Sequence, residues 1–144
     1  MPGIDECLLE AMALPGARGA SLVDWTSGLA LGTAGDSPVG CHETTAAETA
    51  ELARSAAEFD TFGARGEGTG NDGLSGAAAD DAPGGGPHVE DLIVTTRTGY
   101  HVLRFVETSF DSSVFLHLWL DRDTGNLALA RIRLRDLAER LVLG

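Results

Sequence analysis

The chain contains no lysine and no glutamine, and its cations are 10 arginines against 22 aspartates and glutamates in 144 residues. Its formal net charge is therefore -12. Nucleic acids and anionic lipid surfaces attract proteins mainly through Lys and Arg, so this deficit argues against both kinds of partner. We expect neither a nucleic-acid ligand nor insertion into a membrane.

Cysteine and long apolar runs are also scarce. The two cysteines, Cys7 and Cys41, form no CxxC pair, and the four histidines have no HxxxH spacing, so the sequence predicts no metal site. No segment reaches the roughly 20 apolar residues of a membrane helix, and the first residues carry acids where a secretory signal would be basic. We therefore expect a cytoplasmic protein with reduced thiols.

Glycine is concentrated in one segment. Nine of the 26 residues in 63–88 are Gly, and the segment's large aliphatic residue is Leu74. Such a composition buries too little apolar surface to offset the entropy of ordering it, so we interpret 63–88 as a flexible insertion within a single domain, 1–144. Its GxGxxG spacing lacks the strand before and the helix after that a dinucleotide site needs, and a single Asp72-type turn does not bind calcium without stacked copies. We expect no cofactor.

The acidity is concentrated in the first part of the chain. Residues 1–62 carry 10 acids and 2 Arg, whereas residues 89–144 carry 8 acids and 7 Arg. This imbalance is compatible with an acidic docking surface for a protein partner that carries basic residues.

Periodicity predicts the order helix, strand, strand, long helix, insertion, three strands, helix. Hairpin connections dominate this order, which predicts an antiparallel α+β sandwich with helices on both faces of the sheet. The third strand after the insertion is apolar on both faces, as expected for a central strand. The predicted elements are a short helix ending at Pro15-Gly16, strands at 17–24, 28–33, 89–96, 100–107 and 113–121, and helices at 42–62 and 126–143.

The long helix has two apolar stripes at a spacing of 100° per residue. One stripe consists of the larger residues Leu52 and Phe59 together with Ala56, and we predict that it packs on the sheet. The other stripe consists of small residues, and a small domain offers few further surfaces to cover it. We therefore predict that this stripe contacts the same helix of a second copy across a two-fold axis. Its members are Ala46, Ala50, Ala53 and Ala57.

The remaining face of the long helix carries Glu51, Arg54 and Glu58, spaced so that Arg54 can pair with either acid. On the final helix, Arg131, Arg133 and Arg135 alternate and therefore splay around the helix. They form either a solvated face or a contact for an acidic partner.

The residues around Cys41 allow one candidate catalytic arrangement. Cys41 precedes the long helix, where the helix dipole lowers a thiol pKa, and a histidine from the sheet, His101 or His117, would serve as its base. The alternative is that His117 is a core residue between Phe115 and Trp119 and that Cys41 only begins the helix. The second interpretation is the stronger one, and we predict no enzyme.

Three segments of the chain resemble the Roadblock/LC7 family, and in particular its bacterial members of the MglB-like type and of the type found in actinobacterial signalling operons. They are PGARGASLVDWTSGLAL near the start, AAETAELARSAAEF in the long helix, and NLALARIRLRDLAERL at the end. The resemblance covers nearly all of the chain except 63–88. It implies a profilin-like α-β-β-α-β-β-β-α sandwich with a five-stranded antiparallel sheet.

The resemblance also implies a function. Bacterial members are homodimers in which the long helices pack together and the following strand pairs with its twin, which places Leu92 and Val94 at the dimer interface. They act as non-enzymatic regulators or adaptors of a small Ras-like, MglA-like GTPase, which docks on the long-helix face at Glu51, Arg54 and Glu58. The alternatives are a dimeric scaffold for another signalling component, such as a sensor kinase, and more remotely a Cys41-dependent enzyme.

Overall fold

A five-stranded antiparallel sheet forms the centre of the computed structural model, which describes residues 3–63, 89–106 and 113–143. The strand order is β2-β1-β5-β4-β3, and every neighbouring pair is antiparallel. The elements are α1 (Ile4–Met12), β1 (Ala17–Asp24), β2 (Leu29–Gly35), α2 (His42–Glu58), a 3-10 turn (Asp60–Phe62), β3 (Asp91–Thr95), β4 (Gly99–Val106), β5 (Val114–Asp121) and α3 (Leu127–Leu143).

This architecture confirms the predicted α+β class and element order. Strand β1 has the predicted bounds, and the other elements differ by a few residues at their ends. The long helix is the largest difference, because it ends at Glu58 and a separate 3-10 turn follows. The glycine-rich segment beyond Gly63 lies outside the described residues. None of the helices within the described ranges has the length and hydropathy of a membrane span.

Strand β5 is central because both of its faces are apolar. Residues 115–120 are all buried. One face packs against α1 and α3, through a core that includes Leu8, Leu118 and Leu134. The opposite face, which carries Phe115, packs against α2. Covering helices on both sides explain why this strand lacks the alternation of a half-exposed one.

The α2 helix lies on the sheet through its alanines, which corrects the predicted orientation of its two stripes. Ala46, Ala50 and Ala53 are fully buried in one core cluster with the sheet residues Val23, Leu103, Phe105 and Phe115. Small helix residues fit here because the sheet supplies large side chains, so that the backbones approach closely. The three alanines therefore stabilise the protomer and are not available to a second copy.

The turn between β1 and β2 is held by the carboxylate of Asp24. It accepts hydrogen bonds from the Thr26 amide (2.9 Å), from the Thr26 hydroxyl (2.7 Å) and from the Ser113 hydroxyl (3.2 Å). Burial alone would raise the pKa of Asp24, but these hydrogen bonds outweigh it and hold that pKa below its ordinary value. Gly28, with φ of 77°, closes the turn in a conformation that favours glycine.

Candidate interaction surfaces

Three large apolar residues on α2 and in the segment that follows it remain exposed. Leu52, Phe59 and Phe62 are 42%, 54% and 50% exposed, and the rings of the two phenylalanines lie 6.4 Å apart. Arg54 shows which side of α2 faces the β1–β2 turn, because its Nη2 donates to the backbone oxygen of Trp25 (3.1 Å) in that turn. Leu52 is two residues before Arg54 and thus on the opposite side of the helix, toward β4 and β3.

Strand β3 forms the edge of the sheet on that side. In the described part of the chain it pairs with β4 alone, so its outer backbone groups have no strand partner. Leu92 packs against the α2-side core, and Val94 lies opposite His101 in the ladder and is more than one-third exposed. We call Leu52, Phe59, Phe62, Leu92 and Val94 the apolar surface.

The exposed polar face of α2 carries the three residues predicted to bind a partner. Glu51 and Glu58 are exposed, and Arg54 is half-buried by its hydrogen bond to Trp25. Neither acid forms an ion pair with Arg54 among the described residues. Two carboxylates, seven residues or about two helical turns apart, are therefore exposed to solvent on this face.

Two histidines occupy the α2 side of the central strands. His101 Nδ1 lies 3.0 Å from His117 Nε2, and the two rings stack with centroids 5.2 Å apart. The stack continues from His101 to Trp119, at 6.2 Å, and Arg18 places its guanidinium carbon 4.0 Å from the centre of the Trp119 ring. The row thus contains a cation at one end and two imidazoles that share one hydrogen bond.

Burial governs the titration of this pair. It lowers the pKa of His117 from 6.5 to about 3, with smaller contributions from the neighbouring His101 and His42, and it also lowers the pKa of His101. Both imidazoles are therefore neutral near pH 7, and one donates to the other. This is the arrangement of a core polar pair, as in the alternative interpretation of His117.

The proposed cysteine–histidine site does not form among the described residues. Cys41 lies at the N-cap of α2, where its thiol donates to Glu43 Oε1 at 3.4 Å, while the two sheet histidines bond to each other. The other thiol, Cys7, is buried between α1 and α3, and burial raises its pKa to about 11. The described residues contain no group of three or more His, Cys, Asp or Glu side chains placed to hold a metal ion.

The arginines of α3 splay around the helix, as predicted. Arg131 Nε donates to Asp91 on β3 (3.0 Å), whereas Arg133 lines a groove of about 340 Å³ between α1 and α3. At the far end of this groove Arg140 binds both carboxylate oxygens of Glu10, at 2.6 and 3.2 Å. The Arg131–Asp91 contact attaches α3 to the edge strand β3, and the Arg140–Glu10 contact attaches α3 to α1.

Sequence reasoning missed two features of these surfaces. The exposed flank of α2 was assigned to the core, because periodicity shows that two stripes exist but not which of them meets the sheet. The histidine pair was missed because His101 and His117 are 16 residues apart. The ladder that places His101 opposite Trp119, beside His117, could be inferred only from the register of β4 and β5.

Comparisons with known structures agree with this architecture. Myxococcus xanthus MglB aligns with a TM-score of 0.67 at 17% sequence identity, over 96% of this chain and 91% of that chain. A Roadblock/LC7 domain from Streptomyces avermitilis aligns with a TM-score of 0.58 at 17% identity, over 95% of this chain and 92% of that chain. The gliding protein MglB from Thermus thermophilus gives 0.63 at 15% identity, over 96% and 85%.

At the level of sequence, no family model and no curated protein matches the chain. The likeness is therefore one of three-dimensional structure, and it extends over nearly the whole chain in each alignment. The five-stranded antiparallel sheet and the three helices of this chain match the architecture of these neighbours. The chain has the fold of the bacterial Roadblock/LC7 family.

Proposed function

We propose that this chain acts in the cytoplasm as a homodimeric, non-catalytic regulator or adaptor of a small Ras-like GTPase of the MglA-like type. The observation that carries the proposal is the full-length structural likeness to MglB, together with an exposed apolar surface on the side of β3. The protein needs no catalytic residue of its own for this role. Binding two conformations of a GTPase unequally is sufficient to shift the balance between them.

The apolar surface supports the dimer. Leu52, Phe59 and Phe62 expose large side chains, and β3 has no outer strand partner among the described residues; both features favour a second polypeptide. Full burial of one such side chain contributes about 1.5–3 kcal/mol. Strand β3 would pair with its twin, which places Leu92 and Val94 at the two-fold axis. Among the four alanines predicted at the dimer interface, Ala57 alone is half-buried, and it remains a candidate for the contact with the second copy.

The polar face of α2 supports the docking site. Glu51, Glu58 and the partly engaged Arg54 lie on a rigid helix, so their spacing is fixed before a partner binds. Free carboxylates there select a partner with basic residues and accelerate its association, because opposite charges steer the encounter. We assign the GTPase contact to this face.

The decisive experiment measures GTP hydrolysis and nucleotide-dependent binding by a purified MglA-like GTPase, with and without the chain. We expect the chain to bind one nucleotide state preferentially. Charge reversal in Glu51→Lys/Glu58→Lys should weaken that binding about tenfold or more, since rim charges contribute mainly to association rate and salt dependence. The matched control is Glu139→Lys, which changes an exposed acid on α3.

The outcomes separate the hypotheses. Binding without any preference for nucleotide state and without a change in hydrolysis would replace regulation by a scaffold role. No binding to either nucleotide state would refute the GTPase partner altogether, and the dimer would then have to serve another signalling component.

A further inference from the structure

The edge of the sheet opposite β3 is formed by β2, whose outer side has no strand partner in the part of the chain that the structure describes. Its seven residues, LALGTAG, include no charge and no proline. Natural edge strands are usually protected by charged side chains, by proline or by short length. Strand β2 has none of these three protections.

The edge is irregular at one point and regular after it. The register with β1 shifts between Leu22 and Val23, so that Leu31 falls outside the ladder. The following four residues, Gly32–Gly35, keep a continuous register with β1 from Leu22 to Gly19. Gly35 has a φ of 72°, outside the extended region, so Gly32–Ala34 are the residues that can serve as a template for another strand.

Exposed leucines accompany this edge. Leu29 and Leu31 are 62% and 49% exposed on β2 itself, and Leu9 of α1 is 65% exposed. Leu9 lies on the side of α1 that faces β2, because Met12, one turn later, contacts Gly35. Leu29 and Leu31 are thus exposed on β2 itself and Leu9 on the helix beside it, and we call these three leucines the β2 strip. An exposed apolar patch of this kind with polar surroundings is typical of a binding surface.

Exposed carboxylates lie near the second half of β2, on the helices that cover the two faces of the sheet. The first turn of α1 packs against β2 through Ile4, which contacts Gly32, and it presents two exposed acids. The N-terminus of α2 lies at the end of β2, where His42 Nε2 is 3.1 Å from the Gly35 oxygen, and it adds a third. An exposed aspartate directly follows the strand. The four acids are Asp5, Glu6, Asp36 and Glu43.

We propose that the β2 edge binds an extended segment of a partner protein, which adds to the sheet as a sixth strand. Main-chain hydrogen bonds to β2 would supply affinity, and apolar side chains at alternate positions would contact the β2 strip. These carboxylates select a segment that carries Lys or Arg beside its apolar residues. The proposal does not depend on the GTPase assignment, because it rests on the β2 edge and on acids other than Glu51 and Glu58 of α2.

Charge decides against a second copy as the occupant. Residues 1–62, which contain β2 and these four acids, carry 10 acids and 2 Arg, and the chain has no lysine. Pairing β2 with its twin would bring two strongly acidic halves together without compensating cations. A basic partner segment instead neutralises these acids as it pairs.

The test uses the full chain and a short synthetic peptide that alternates valine and threonine and ends in two basic residues on each side. Fluorescence anisotropy measures its affinity, and hydrogen exchange locates it. We expect binding about tenfold tighter than for an analogue with acidic ends or for one N-methylated at alternate amides, which cannot pair as a strand. Exchange of the amides of residues 29–35 should slow, and added salt should weaken binding.

A pair of variants keeps the test specific. Leu29→Ser/Leu31→Ser removes the apolar strip on β2 and should weaken peptide binding about tenfold, whereas Ile132→Ser, an equally exposed residue on α3, should not. Equal binding by both variants, equal binding of the N-methylated analogue, or protection outside β2 would overturn the proposal. It would also be overturned if the chain self-associated through this edge. The molar mass in solution would then be lower for Leu29→Ser/Leu31→Ser than for the unchanged chain and for Ile132→Ser.

Discussion

The histidine pair makes the stability of this protein sensitive to mild acid. His117 has a pKa of about 3 in the folded chain against an ordinary value of 6.5, because it is buried beside His101. Between these two values the unfolded chain binds a proton that the folded chain does not. The stability contribution is therefore complete above pH 6.5 and is lost as the pH falls toward 3.

The size of the effect follows from the same two pKa values. One pKa unit corresponds to about 1.4 kcal/mol, so that the free energy of unfolding should fall by about 2 kcal/mol between pH 7 and pH 5. His101 acts in the same direction, because burial also lowers its pKa. The carboxylates whose pKa lies below its ordinary value, such as Asp24, lose their contribution at lower pH. The interval from pH 7 to pH 5 therefore isolates the histidines.

Urea unfolding followed by tryptophan fluorescence, at one fixed protein concentration, measures this free energy at pH 7, 6 and 5. The variant His117→Leu removes the buried titrating group and should lose more than half of the pH dependence. The control His42→Asn leaves the pair intact and should keep most of the pH dependence, because burial is the larger cause of the lowered pKa of His117. A wild-type loss below about 0.5 kcal/mol, or an unchanged slope in His117→Leu, would refute the assignment of a buried neutral pair.

Three further predictions concern α2, the edge of β3 and the thiols. Ala50→Leu should lower the free energy of unfolding by about 1–3 kcal/mol, because it overpacks the contact of α2 with the sheet, whereas Ala47→Leu on the exposed side should not; equal urea midpoints for the two variants would contradict this placement of α2. Val94→Lys should convert the proposed dimer to a monomer in light scattering after gel filtration, and a persistent dimer would exclude this edge of β3 from the interface. A thiol reagent at pH 8 should modify Cys41 rapidly and Cys7 only on unfolding, since Cys7 is buried and its pKa is about 11; two fast thiols in the folded chain would argue against that burial.

The fold was more predictable than the surfaces. The run of mostly apolar residues over 113–121 identified β5 as a strand covered on both faces, because a strand with one face in solvent would alternate apolar and polar residues. The same reasoning failed for α2, where two apolar stripes of different size compete for one sheet. Large residues were expected to face the core, yet the sheet already supplies Phe115, Leu103 and Phe105, and the space that remains fits alanine.

The candidate residues divide along the same line. Glu51 and Glu58 were predicted to be exposed and are exposed, since a charged side chain avoids burial wherever the helix lies. Leu52 and Phe59 were predicted to be buried and are not, because their exposure depends on the tilt and rotation of α2 over a sheet whose strands come from distant parts of the chain. The exposure of the β2 strip could likewise not be predicted, since an apolar strand can lie at the centre of a sheet or at its edge.

By itself, the sequence determined the α+β class, the order of the elements and the distribution of charge along the chain, which follow from residue types and from neighbours within a few residues. The tertiary structure alone decided the strand order, which makes β2 and β3 the edges, and the face that α2 turns to the sheet. It also decided the pairing of His101 with His117. These outcomes depend on contacts between residues far apart in the chain, where the fit of volumes and the register of strands select one arrangement that no local pattern encodes.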